Sequence, residues 1–435
     1  MSARSLRAAL TAAILLAASV LLLAGCDALL PYVQPTGTAQ PTPPLPTPTS
    51  APQVTVPAED TSGLIPIIIW LPPQFDPELG TPASEVLKAR LEAFNLDHPN
   101  LAVSYRIKNE TGPAGLLDSL SSTSKVAPEA LPDLVLFSDS ELQNAIERSL
   151  VYQYPNPIPS SEDTDWFNVA ASISSYQGQT YGMPLAADGL TMVYDADLIE
   201  DVPRSWEDLI RAGYLLSFPP ADPQAAFTLA LYLSQGAVLS EPEVGVTIQA
   251  EPLQNVLELY LQIQNQNRLP SNPTQIDTDK AAWERFLFGA RQTVITKASR
   301  YLALTDEGLL AAPLATQDGN PFTLISGWGW ALTNPDPNKQ VAAEELARYL
   351  SAAEFAGAWT AAADLLPLRP SALEFWENET DQIIANQLMA NAQPMPPVTL
   401  TSVVSPLLRD AVISVLSGER TPEEAAQSAA DLLQN

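Results

Sequence analysis

One cysteine, one histidine, and 21 lysines and arginines against 50 aspartates and glutamates are what this chain of 435 residues offers. A single cysteine (Cys26) closes no intramolecular disulfide, and with a single histidine (His98) it builds neither a Cys/His zinc cluster nor a Cys-His catalytic pair with a residue to spare. The shortage of basic residues excludes electrostatic binding to nucleic acid, or to an anionic membrane surface, over most of the molecule. Also missing are the G-x-S-x-G, H-E-x-x-H, Walker A and G-x-G-x-x-G patterns, so no enzyme class, cofactor or metal is implied. The 50 acids leave a glycosidase pair open in principle, but nothing singles one out. What remains for recognition is carboxylates, hydroxyls, amides and aromatics. A hydrophobic share of 46% fills one large core or two ordinary ones.

The one long apolar run is at the start. Arg4 and Arg7 precede Ala8 to Ala24, a stretch of Ala, Leu, Ile and Val without charge, in the order of a secretory signal. It ends at Leu23-Ala24-Gly25-Cys26, which resembles the bacterial lipobox, in which the Cys thiol is acylated and the preceding peptide removed. The resemblance implies a signal peptide over 1–25, lipidation at Cys26, and anchoring on the outer face of the cell membrane, with Asp27 favouring retention there. Removal of 1–25 leaves 19 basic residues against 50 acidic ones, a charge of −31. Residues 31–62 then hold nine Pro and seven Thr with no Lys or Arg, so 26–62 reads as a tether. Pro-rich chain extends about 3.1 Å per residue, enough to hold a folded body several nanometres from a lipid surface. The membrane contact expected is through the lipid alone.

Residues 64–435 alternate between strand and helix signals. Ile65 to Trp70 is a short continuous apolar run, as in a parallel strand buried on both faces. Thr81-Pro82 starts a helix with Ala83, Leu87, Leu91 and Phe94 on one side, ending near His98-Pro99. A strand over Leu101 to Ile107, a helix over Leu116 to Ser122 and a strand over Asp133 to Phe137 complete a β-α-β-α-β opening of the doubly wound type. The same grammar returns later. Ser205 to Asp208 caps a helix closed by Gly213, and Asp222-Pro223 caps another ended by Gly236. Helices follow over Gln254 to Gln264 and Asp277 to Phe288, strands over Gln292 to Thr296 and Phe322 to Thr333, and a full capping box stands at Thr421 to Glu424. At this length two α/β lobes are expected.

Five segments, in order, resemble the bacterial extracellular solute-binding proteins of carbohydrate ABC importers, the maltose-binding-protein-like group. They are Tyr181 to Asp195, Pro203 to Leu209, Phe286 to Ile295, Leu366 to Ser371, and Asn391 to Gln427. The resemblance implies a fold of two doubly wound α/β lobes with a ligand cleft between them (periplasmic-binding-protein-like, type II). The chain would cross between lobes near Ala186, Ile325 and Leu366, giving lobes of 64–185 with 325–365 and of 186–324 with 366–435. It also implies a monomeric receptor, not an enzyme, that closes on a small polar solute, a mono- or oligosaccharide, and delivers it to ABC permease subunits. The acidity leaves open a polyamine as the solute, and a sensing or scaffolding lipoprotein of the same fold is a further alternative. Departures from the pattern, Asp195, Gln292-Thr293 and Lys297 to Tyr301, bear on the substrate more than on the fold.

By the same resemblance, the ligand residues fall on loops after strand C-termini. Phe137 and Asp139 follow one strand and Asp222 another; Ser299 and Tyr301 follow a third; Trp70 ends the first; Trp328 lies beside the return crossover; and Asp188 matches a carboxylate that accepts sugar hydroxyls. A second role is open to each. Trp70 and Phe137 suit a core as well as a ligand, Trp328 shares strand parity with Trp330, and Asp139 and Asp222 suit helix N-caps. Asp188 precedes no obvious helix start.

Overall fold

The computed structural model describes residues 64–156, 164–241, 245–289, 292–304 and 308–433. The signal 1–25, Cys26 and the tether 26–62 lie outside the described residues.

The opening follows the apolar pattern. Strand β1 (Ile65–Leu71) leads to helix α1 (Pro82–Asp97), which Thr81 and Ser84 cap reciprocally and whose Pro82 gives up an N–H that would have no helical partner. Strand β2 (Leu101–Ile107), helix α2 (Leu116–Val126), strand β3 (Leu134–Ser138) and helix α3 (Asp139–Glu147) follow. Helix α4 (Asn168–Ser174) precedes the long strand β4 (Gly182–Asp195). Next come α5 (Trp206–Ala212), β5 (Leu216–Ser217), α6 (Ala226–Leu233), α7 (Ala250–Asn265), α8 (Asp279–Phe288), β6 (Thr293–Lys297) and α9 (Ala298–Leu302). The chain continues through β7 (Leu309–Ala312), β8 (Thr323–Leu332), α10 (Pro337–Tyr349), α11 (Ala353–Ala362), β9 (Leu366–Pro367), α12 (Glu379–Ala390) and β10 (Ala392–Pro394). It ends with α13 (Val398–Leu416) and α14 (Pro422–Asp431), the latter opened by the capping box of Thr421 and Glu424.

Two sheets share a strand. In the strand order β2-β1-β3-β8-β4-β6-β5, the first part of β4 pairs with β8, from Gly182 opposite Ala331 to Gly189 opposite Ile325. The second part pairs with β6, from Leu190 opposite Lys297 to Tyr194 opposite Thr293, and with β7. The return strand β8 also divides its partners: Thr323 to Ile325 run parallel to β10, while Trp328 to Leu332 run antiparallel to β3. Leu366 of β9 lies opposite Ala187, so three chain segments meet within a few residues. Backbones crowd there. A Cβ added to Gly189 would sit 2.5 Å from the Ile325 side chain and 3.0 Å from the Leu324 carbonyl oxygen, and one added to Gly327 would sit 2.6 Å from Ile173 and 3.0 Å from the Ala186 carbonyl oxygen. Glycine lets the strands pass this closely.

Strand alternation fills a layer on each face of the first sheet. Ile67, Ile69, Leu134 and Leu136 join Phe94 and Trp359 on one side, and Trp70, Val135 and Phe137 join Leu116, Leu120 and Leu142 on the other. The second sheet is covered by a separate core of Phe218, Tyr232, Leu257 and Tyr260 with Leu408 and Val412 of α13. By length and composition α13 would span a membrane, but its apolar side is spent in that core.

Candidate functional site

The parallel strands β1, β3, β5 and β10 end toward the place where the two sheets face each other, the position at which open α/β folds present their loops to ligands. A cavity of about 300 Å³ lies there. One wall is the start of α3 (Asp139, Ser140, Gln143), which β3 positions by ending at Ser138. The opposite wall is the loop after β5 (Pro223, Gln224), and Ser326 of β8 lies between them. The remaining side is the turn after β10 and the first half of α13, Met395 to Pro397 and then Ser402, Ser405 and Pro406. No aromatic ring and no Lys, Arg or His lines the cavity among the described residues.

Asp139 is the one acid of this lining. Ser138 caps α3 and Asp139 is its first residue, accepting the Ser140 N–H at 2.8 Å. Burial pushes its carboxyl up to about 6, against the N–H groups of Ser140 and Gly327, which favour the ionised form, and Glu110 nearby raises it further. On the adjoining turn of α3, burial also raises Glu141. The helix-cap role expected of Asp139 thus belongs to its neighbour Ser138, and the Asp139 side chain faces the cavity.

The other sequence candidates are placed differently. Phe137 is fully buried between α2 and α3, and Trp70 on the same layer is 2% exposed, with the Lys108 ammonium 5.2 Å from its ring centre. Neither ring offers a face to a solute, because strand alternation turns both into the layer away from the strand ends. The pair Trp328 and Trp330 separates: Trp330 is sealed in the core, while Trp328 is half-buried, edge-on to Phe75 at 5.4 Å, with its indole N–H donated to Glu110 at 3.2 Å. Both stay on one face, since their register with β3 is unbroken (Trp328 opposite Ser138, Trp330 opposite Leu136) and the extra residue at the register shift, Leu185, is on β4; they differ in that Trp328 lies at the end of β3.

Asp188, Ser299 and Tyr301 form a second group that does not line the cavity. Asp188 is buried where β4 passes from one sheet to the other. It accepts the N–H groups of Gly189 (2.9 Å) and Ser299 (3.0 Å) and the Ser299 hydroxyl (2.8 Å), and Lys297 stands 3.8 Å away. A carboxylate has about four acceptor positions, so most of them are already engaged. Tyr301 is buried, and its hydroxyl donates to Asp381 at 2.9 Å. Asp222 accepts the N–H groups of Gln224 and Ala226, both at 3.0 Å, and so shapes the turn into α6 that carries Pro223 and Gln224 to the cavity. His98 ends α1, stacked on Phe94 at 4.1 Å, and Trp206 donates its indole N–H to the Ala315 carbonyl; both are structural, as their positions at helix ends suggested.

Gln143, Gln224, Ser326 and the whole wall from Met395 to Pro406 are not among the sequence candidates. The local signal on that wall is Pro406, which removes a backbone N–H from within an apolar helical run.

A sequence description of the bacterial extracellular solute-binding proteins matches residues 89–391. No curated protein is matched by sequence. Among solved structures, the chain is similar to the GacH receptor of Streptomyces glaucescens, studied unliganded and with acarbose, at 19% identity and a TM-score of 0.61, over 84% of this chain and 97% of that one. It is also similar to the cyclic alpha-maltosyl-1,6-maltose binding protein of Arthrobacter globiformis, at 16% identity and a TM-score of 0.70, over 86% and 98%. A third is the sugar-binding protein MalE of Xanthomonas citri, at 15% and 0.69, over 85% and 96%.

Proposed function

The chain belongs to the bacterial extracellular solute-binding proteins, and from that premise we propose that it captures a carbohydrate outside the cytoplasm and delivers it to an ABC permease. The observation that carries this reading is the cavity of about 300 Å³ at the strand ends, walled on both sides by polar side chains and suited in volume to one or two sugar rings. The solved relatives named above are described as binding acarbose, a cyclic maltosyl-maltose and sugar, which supports the same class of solute.

On this reading the lobes are 64–185 with 325–365 and 186–324 with 366–435, hinged where Ala186 to Gly189, Ile325 and Leu366 lie side by side. A solute that touches both walls stabilises the closed arrangement by its extra contacts there, and the permease distinguishes closed from open. Asp139, Gln143 and Gln224 supply the hydroxyl contacts. Asp188 and Ser299 act one step back, holding α9 to β4. The protein is a monomeric receptor and performs no bond chemistry on its cargo.

Thermal unfolding of the full chain in detergent, followed with mono- and oligosaccharides, tests the reading. A ligand at 100 times its dissociation constant should add about 2.7 kcal/mol, a shift of several degrees. Silence across carbohydrates of one to four rings would overturn it. Anchoring has its own test. Labelling with a tagged fatty acid should mark the wild type and not Cys26→Ser, and a label equal in the two or absent from both would rule out the lipid at Cys26.

A further inference from the structure

The cavity is one-sided in its charge. Its only ionisable lining group among the described residues is the Asp139 carboxylate, with no cation opposite it. The α13 wall adds two more acceptors. Pro406 lies inside the helix and has no N–H, so the Ser402 carbonyl oxygen, four residues back, lacks its helical donor; both residues line the cavity. Next to them Ser405 is 3% exposed and its hydroxyl has no hydrogen-bond partner. A buried polar atom without a partner is costly, and one placed at a ligand cavity is explained if a ligand completes it. The sugar-stacking aromatic surface that a neutral glycan would use is replaced here by Pro223, Pro396, Pro397 and Pro406.

We infer that the preferred solute carries an ammonium group among its hydroxyls, that is, an amino sugar, with the ammonium received by the Asp139 carboxylate and the Ser402 carbonyl and a hydroxyl by Ser405. This rests on the carbohydrate reading above and adds the charge. An ammonium brings three donors to a wall that offers acceptors, and a charge-assisted hydrogen bond is about twice as strong as a neutral one. Acidic sugars are excluded by the same argument, since a second carboxylate would meet Asp139 with nothing to neutralise either.

Calorimetric titration of the full chain in detergent with D-glucosamine, D-glucose, D-glucuronate and putrescine tests the inference. Glucosamine should bind at least tenfold more tightly than glucose, and glucuronate should not bind. Pro406→Ala, which gives the Ser402 carbonyl its helical donor back, should weaken glucosamine more than glucose and so narrow the ratio between them severalfold, and an unchanged ratio would remove the Ser402 carbonyl from the site. Equal affinity for glucose and glucosamine, or tighter binding of glucuronate, would overturn the inference and leave the carbohydrate reading standing. Putrescine binding without either sugar would overturn both.

Discussion

Asp139→Asn should make the unliganded protein more stable and a poorer receptor. The Asp139 carboxyl, with burial raising it from 3.8 to about 6, costs the native state about 3 kcal/mol at neutral pH relative to the unfolded chain. Asparagine removes that cost and keeps an oxygen for the Ser140 N–H, so a net gain of about 2 kcal/mol is expected. The gain depends on pH in a defined sense. Below about pH 4 both states hold the proton and the variant gains nothing; as pH rises toward 6 the unfolded chain loses its proton first and the wild type loses stability; above about pH 6 the difference is full. Urea unfolding at pH 4 and pH 7.5 reads this directly. A ligand that donates to the carboxylate should bind the variant at least tenfold more weakly at pH 7.5. A variant that is less stable at both pH values, with unchanged affinity, would show that the carboxyl is a structural group and not a cavity-facing acceptor.

Asp188→Ala should fail in the opposite way. It strips the acceptor from the Ser299 N–H and hydroxyl and from the Gly189 N–H, at a buried point where water cannot replace it. Leaving such donors unpaired costs about 3 kcal/mol. Asp188→Asn keeps one oxygen for two of them and should cost about 1 kcal/mol. Denaturant midpoints of the two variants decide it: a loss below about 0.5 kcal/mol for Asp188→Ala would mean that α9 is held by other contacts. Solute affinity, measured at a temperature where both variants are folded, should change less in Asp188→Asn than in Asp139→Asn.

Local signals carried much of the fold. The capping residues at Ser205 and Thr421 form the reciprocal bonds expected of them, and Thr81, expected only as an N-cap, forms one with Ser84 as well, since those bonds involve residues three apart and need no tertiary help. The apolar runs at Ile65, Leu101 and Leu134 are strands. The helix after Asp222 begins only at Ala226, because Ala225 takes a left-handed conformation (φ 47°) that delays the first turn. The candidate site was less legible. Phe137 and Trp70 have the residue types of a sugar platform, but which layer a strand side chain enters is set by neighbours far along the chain. The α13 wall comes from the distant C-terminus, and a resemblance spread over residues 391–427 gave no reason to pick out Ser402 or Ser405.

The division of β4 and β8 between two sheets has a consequence for biogenesis. The first sheet cannot be completed from contiguous chain, since β8 must insert between β3 and β4, and β8 is synthesised only after most of the second sheet. Pairings of such wide sequence separation pay their loop-closure entropy before any contact rewards them, so they form slowly. A nascent chain lacking residues 323–332 would leave β3 and β4 with open edges. Such a chain stays unpaired along those edges while it is incomplete, which suits a member of a family that works outside the cytoplasm.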